Sequence, residues 1–326
     1  MVKIVMGGAS LAEFGKFNTQ ESREKVVDIL LANGIKNIDS ARLYTGSEVS
    51  IGKLDRRTQF VIDTKLAGGF MPGNVHKEQV IKDAQDSLDR VGIKQFDVLY
   101  IHAPDETIPF EDTLEGVNEV YKKGIFRRFG LSNFSVEQLT RVYGICKEKG
   151  YVLPTVYQGN YNPVARHIET LLLPKLKELG IVLYAYSPIA GGFLTKSAAD
   201  LDAGVGRFNR RAMRSLYSKL YDSPTMREGL LKWNEIAKKE GVSNAELAYR
   251  WVASHSALSK DDFVPGEENG IIIGASSHEQ IEQTIAAIKR GKLSDEAVQG
   301  IQDIWEHVKQ KAPLDNYHHF KKEGKV

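Results

Sequence analysis

Short apolar runs rich in β-branched and aromatic residues alternate with stretches of helical periodicity along nearly the whole chain. The runs predict strands at Val2 to Met6, Asn37 to Ser40, Phe60 to Lys65, Phe96 to His102, Arg128 to Leu131, Thr155 to Gln158, Ile181 to Tyr186 and Gly270 to Gly274. The intervening stretches predict helices at Glu21 to Ala32, Lys77 to Val91, Phe110 to Lys123, Val136 to Lys149, Ile168 to Leu179 and Glu279 to Lys289. Asn33-Gly34 and Lys149-Gly150 read as C-terminal stops, and Ser135 with Gln138 as an N-capping pair. Strand and helix alternating eight times predict an α/β fold, a single (β/α)8 TIM barrel spanning residues 1–326. A doubly wound open sheet competes, but Gly7-Gly8-Ala9-Ser10-Leu11 does not make its glycine-rich phosphate turn.

Two stretches break the alternation. Leu194 to Thr225, rich in Arg, Gly and Ser, reads as a long loop after strand 7, of the kind that carries function on a barrel's carboxyl face. After it come two extra helices, Met226 to Glu240 and Asn244 to Ser254, and a final one at Asp295 to Lys311. Residues 321–326 read as a frayed, solvated tail.

Composition narrows the functional classes. With 44 basic and 42 acidic residues among 326, a formal net charge of +2 argues for neither a nucleic-acid surface nor a membrane patch. The single cysteine, Cys146, excludes an intrachain disulfide and sits on a helical pattern as a structural thiol. No apolar secretory segment follows Met1 and no run is long enough to span a bilayer, so a cytoplasmic protein is expected. His76, His102 and His167 are scattered, and no ligand spacing suggests a metal.

The chemistry concentrates at strand ends, where a parallel barrel does its work. Asp39, Tyr44, Lys65 and His102 each follow a short apolar run. Singly they have bland readings: a rim tyrosine, a solvated lysine, a core histidine, a capping aspartate. Together they form a proton-transfer set. A phenol is protonated but weakly acidic at neutral pH. A neighbouring Lys65 ammonium should lower its pKa, Asp39 should hold that lysine charged, and His102 could donate to a carbonyl oxygen. The set suggests reduction of an aldehyde or ketone, with hydride from a nicotinamide and a proton from Tyr44.

At these residues the chain resembles the aldo-keto reductase superfamily, whose Asp-Tyr-Lys-His set is matched by Asp39, Tyr44, Lys65 and His102. It most resembles the aflatoxin-aldehyde reductase branch, through Ile62-Asp63-Thr64-Lys65, Gly130-Leu131-Ser132-Asn133-Phe134, the run from Leu153 to Asn162, and Tyr184 to Gly192. The resemblance implies that Ser132, Asn133 and Gln158 hold a nicotinamide carboxamide and that Tyr186 stacks on its ring. It implies that Ser187, Pro188, Ile189, Ala190, Gly191 and Gly192 begin a wrap around the pyrophosphate and that Arg207 binds the cofactor. Ser276, Ser277, Gln280 and Thr284 would receive the 2′-phosphate of NADPH, as small hydroxyl residues at a helix start can. Gln280 stands where many relatives carry arginine, though the branch shares the glutamine, and Thr284 stands where many carry asparagine. Tyr44, His102, Tyr217 and Tyr317 would face the substrate. Relatives that accept succinic semialdehyde carry arginines at positions matched here by Leu220 and near His318-His319, so neutral aromatic or bulky carbonyls are expected instead. Arg210, Arg211 and Arg214 could supply a substitute cation. The branch suggests a homodimer.

Two other readings stay open: a nucleotide-binding regulatory subunit of the same superfamily with little turnover, and a barrel isomerase or lyase using Lys65 as a Schiff base. The start of the first strand close to Met1, with no N-terminal regulatory extension, weighs against the regulatory reading.

Overall fold

The computed structural model describes residues 2–209, 215–259, 264 and 266–322. Eight parallel strands close into a barrel in sequence order: β1 (Lys3–Gly7), β2 (Asn37–Asp39), β3 (Val61–Leu66), β4 (Phe96–Ile101), β5 (Phe126–Ser132), β6 (Pro154–Asn160), β7 (Val182–Tyr186) and β8 (Gly270–Ile273). Around them run α1 (Gln20–Ala32), α2 (Ser47–Gly52), α3 (Lys77–Val91), α4 (Phe110–Lys122), α5 (Val136–Lys149), α6 (Ile168–Leu171), α7 (Leu173–Leu179), α8 (Ala198–Asp202), α9 (Ser215–Tyr221), α10 (Pro224–Glu240), α11 (Asn244–Ser254), α12 (His278–Lys289), α13 (Asp295–Val308) and α14 (Asn316–Lys322). This is the TIM barrel that the alternation predicts.

Alternation along each strand divides its residues between two cores. On β4, Leu99 and Ile101 join the outer core beneath the helices, while Val98 and Tyr100 join an inner cluster with Val5, Val156, Val182, Tyr184 and Ile272. On β3, Ile62 and Leu66 go to the outer core. That leaves Asp63 and Lys65 on the inner face. Two glycines make room for the inner tyrosines. A Cβ on Gly130 would stand 2.3 Å from the Tyr100 ring, and one on Gly270 3.0 Å from that of Tyr184.

Several expectations need correcting. The helix expected from Ile168 to Leu179 is broken at Leu172, because Pro174 has no N–H to continue the ladder. The stretch from Leu194 to Thr225 is not one long loop. It holds α8, started by a Ser197–Asp200 capping box, a 3-10 turn at Gly206–Phe208, and α9. Buried Leu201, Phe208, Leu220 and Tyr221 anchor it to the core. Arg210, Arg211 and Arg214 lie outside the described residues. The last expected helix stops at Val308, and α14 follows. Lys321 and Lys322 belong to α14, with Lys321 paired to Glu106, while residues 323–326 lie outside the described residues. Cys146 is buried, which pushes its thiol up to about 12. Among the described residues no helix is long and apolar enough to cross a membrane.

Candidate active site

The carboxyl ends of β2 and β3 bring Asp39 and Lys65 together. Lys65 Nζ donates to Asp39 Oδ2 at 2.6 Å and to the Ser40 carbonyl at 2.7 Å, with both side chains buried. Gln158 on β6 completes the carboxylate by donating from Nε2 to Asp39 Oδ1 at 2.9 Å. Tyr44 sits on the turn between β2 and α2, with Lys65 Nζ 5.1 Å from its ring centroid. Arg42 ties that turn to α3 through Asp83 (2.9 Å) and Asp86 (3.1 Å). From the other side, Ser47 Oγ donates to the Gly8 carbonyl at 3.0 Å.

Electrostatics follow from burial. Desolvation opposes the Lys65 charge, but Asp39, Tyr44 and Asp63 outweigh it, so Lys65 stays an ammonium above its ordinary value. The Tyr44 phenol is also raised: burial dominates, and Asp39 and Tyr217 add to it. The Lys65 charge and hydrogen bond pull down, but less. The direction expected of Lys65 is correct, whereas the expected net lowering is not. His102 is held well below the ordinary imidazole value by burial and by Lys65, so it is neutral. Its Nδ1 is buried with no partner among the described residues.

Aromatic rings form one wall. Tyr44 meets His102 edge-on at 5.8 Å, His102 meets Phe70 at 5.1 Å, and Phe70 meets Tyr317 at 5.2 Å and Phe320 at 6.3 Å. Tyr317 presents its ring only, because its hydroxyl is committed to the Pro104 carbonyl at 2.8 Å.

The opposite wall is strained. The non-glycine residues with left-handed backbone are Asn133 (φ 61), Ser187 (φ 55) and Ala190 (φ 52) among those described. Such conformations cost about 1–3 kcal/mol each and gather at functional sites. Asn133 is over-determined: Nδ2 donates to the His102 carbonyl (2.8 Å) and Ser132 Oγ (3.1 Å), while Oδ1 accepts from the Tyr186 hydroxyl (2.9 Å). After β7, Gly191 and Gly192 continue the left-handed backbone. Tyr217 lies so close over Gly191 that a Cβ there would be 2.0 Å from the ring, whereas one on Gly192 would meet open space. Arg207 stands over Tyr217, 5.3 Å from the ring centroid and 3.3 Å from the hydroxyl. Beyond β8, Ser277 Oγ caps α12, and Gln280 Oε1 accepts from Ser276 N (2.9 Å) and Oγ (2.8 Å). Thr284 is buried one turn on and hydrogen-bonds the Tyr249 phenol. Buried amides, a glycine cradle and an exposed guanidinium fit a nicotinamide nucleotide.

A family model for the aldo/keto reductase family matches residues 3–306. The chain belongs to that family. Its relatives include oxidoreductase sirO of Leptosphaeria maculans, 35% identical over 92% of this chain and 90% of that protein. Human aldo-keto reductase family 7 member A3 is 32% identical over 92% of this chain and 94% of its own length. Human aflatoxin B1 aldehyde reductase member 4 is 32% identical over 90% and 91%, respectively.

For an aldo/keto reductase the four expected residues converge, as do Ser132, Asn133, Gln158 and Tyr186 beside them. Thr284 differs from Ser276 and Ser277 in facing the protein interior. Sequence reasoning missed Phe70, Phe320 and Arg42. The Gly68-Gly69 pair before Phe70 was a usable signal: a Cβ on Gly69 would stand 2.5 Å from the Tyr317 hydroxyl, so that loop must pack tightly against α14.

Proposed function

We propose that the protein reduces an aldehyde or ketone to an alcohol with NADPH. The observation that carries this reading is the Tyr44 phenol held beside the buried Lys65–Asp39 pair at the catalytic mouth of the barrel. Bound NADPH would supply the hydride. Ser132, Asn133 and Gln158 would hold the carboxamide, Tyr186 would face the ring, and the Ser187 to Gly192 segment with Arg207 would take the phosphates. Ser276, Ser277 and Gln280 at the start of α12 would favour the 2′-phosphate. Tyr44 gives its proton to the carbonyl oxygen as charge develops there. Lys65 stabilises the phenolate left behind. Neutral His102 orients the same oxygen by a hydrogen bond.

The substrate is a neutral aromatic or bulky carbonyl. Leu220 is buried in the apolar core, His318 is engaged by Asp315 at 2.7 Å, and Lys321 is paired with Glu106. None of these is a guanidinium fork for a carboxylate. The names of the aflatoxin aldehyde reductase relatives agree with aldehyde reduction.

The test is NADPH oxidation across a carbonyl panel, with Tyr44→Phe beside the wild type. Loss of the hydroxyl should lower kcat roughly 10²–10⁴-fold while cofactor fluorescence quenching persists. Cofactor binding with no turnover of any carbonyl would favour the regulatory-subunit reading. A higher kcat/KM for succinic semialdehyde than for a nitrobenzaldehyde would overturn the substrate assignment.

A further inference from the structure

The barrel interior below the site is not filled by branched apolar side chains alone, as parallel barrels ordinarily are. Asp63 lies two residues before Lys65 on β3 and so shares its inward face. It is fully buried and in register with Asp39 on β2. Its Oδ1 accepts from the Val98 amide at 3.1 Å, while its Oδ2 has no partner among the described residues. The Tyr100 hydroxyl and Arg128 Nε are likewise unpartnered. Tyr100 pairs with Lys65 across the strands, its ring centroid 5.7 Å from Lys65 Nζ.

The charged and titratable groups around Asp63 come from every strand that packs on it. They are Asp39 from β2, Lys65 from its own strand, Asp97 and Tyr100 from β4, Arg128 from β5 and Tyr184 from β7. Lys3 of β1 reaches the Tyr184 hydroxyl at 3.3 Å. The nearby cations are already committed. Lys65 is 2.6 Å from Asp39, and Arg128 is 2.6 Å from Asp97. Burial, then repulsion from Asp97 and Asp39, pushes the Asp63 carboxyl well above the ordinary carboxylate range. A carboxyl buried there must either hold its proton or leave a charge unpaired, a cost of ionisation that an amide of the same shape does not carry. Features that cost stability concentrate where function retains them.

We propose that Asp63 is a positioning residue for the proton donor. Sealed beneath Lys65, it governs how firmly the Lys65 ammonium and the Tyr44 hydroxyl keep their protons. This rests on Tyr44 being the donor. While Asp63 is a neutral acid, Lys65 answers to Asp39 and Tyr44 alone. When Asp63 ionises, a second carboxylate acts on the same ammonium, and both protons are held to higher pH.

Asp63→Asn tests this through three readouts. The alkaline limb of the kcat–pH profile should move down by roughly one unit, the scale of one buried charge a strand repeat away. The folded-state pKa of Asp63 is raised, so its penalty on the wild type grows as pH climbs above the ordinary carboxylate value. The variant should therefore melt higher than the wild type at neutral pH. Infrared spectra of the wild type should show the carbonyl stretch of a protonated acid persisting above the ordinary carboxylate range, absent from the variant. A pH profile that superimposes on the wild type, a lower melting temperature, or no such band would each overturn the proposal. If Tyr44→Phe keeps its turnover, the donor assignment itself fails. If Tyr44→Phe is inactive and the Asp63→Asn profile is unmoved, only the role of Asp63 is rejected.

Discussion

Lys65→Met removes one charge while keeping an unbranched side chain of similar reach, and it separates two roles of the same ammonium. Structurally, Lys65 and Asp39 form an ion pair at 2.6 Å, with side chains 0% and 3% exposed. Removing one partner leaves a buried carboxylate that, among the described residues, only the Gln158 amide answers. Breaking such a pair costs about 3–5 kcal/mol, a large part of a typical total of roughly 5–15 kcal/mol. Catalytically, the variant loses the cation that opposes burial and Asp39 at the Tyr44 phenol. A positioned general acid is worth about 10²–10⁴ in rate, or roughly 2.7–5.5 kcal/mol of barrier at 1.36 kcal/mol per tenfold. Urea melts without cofactor read the first quantity, and kcat on a neutral aromatic aldehyde reads the second. Adding Asp39→Asn should restore stability by about 0.5–3 kcal/mol, the usual coupling between touching residues, without restoring kcat. The reasoning fails if Lys65→Met unfolds at the wild-type urea midpoint. It also fails if the double variant is no more stable than the single one, or if kcat stays within about tenfold of wild type.

Gly191→Ala would force a methyl group into the Tyr217 ring at a left-handed φ of 66°. We expect the NADPH dissociation constant to rise about tenfold or more, equivalent to at least 1.4 kcal/mol, with Tyr217→Ala restoring part of it in a fluorescence titration. His102 is depressed well below the ordinary imidazole value, so the unfolded chain binds its proton first. Its contribution to stability is complete above pH ~6.5 and is lost as pH falls toward the depressed value. Thermal melts should therefore show a steeper acid decline in wild type than in His102→Gln.

Most of the barrel was legible because its information is local. Runs such as Phe96 to Ile101, caps such as Ser135 with Gln138, and stops such as Gly150 report themselves within a few residues. The four-residue set was legible for the same reason, since each member stands at or just beyond the end of a strand that periodicity had already placed. Three features were not. The break at Leu172 depends on Pro174 inside an otherwise helical pattern. The helices between Leu194 and Thr225 are held by a few buried residues, Leu201 and Phe208 among them, within a polar stretch whose composition reads as loop. Two ring partners of Phe70 are Tyr317 and Phe320. They lie so far away in sequence that no window could connect them.

Asp63 shows the same limit from the opposite side. In sequence it is one polar letter in Val61-Ile62-Asp63-Thr64-Lys65, and a strand carrying two charges would ordinarily be taken to face solvent. Closure of the barrel reverses that inference, because both charges then point inward while Ile62 and Leu66 satisfy the helices outside. Lys65 has an evident reason to be there, since Asp39 meets it at 2.6 Å. Among the described residues Asp63 has no dedicated cation and one unpartnered oxygen, and it is fully buried. A solvent-facing strand would tolerate Asp63 at no cost. In a closed barrel the same residue opposes folding more strongly as pH rises, so whatever keeps it must act on its inward neighbours, of which Lys65 is the one that reaches Tyr44.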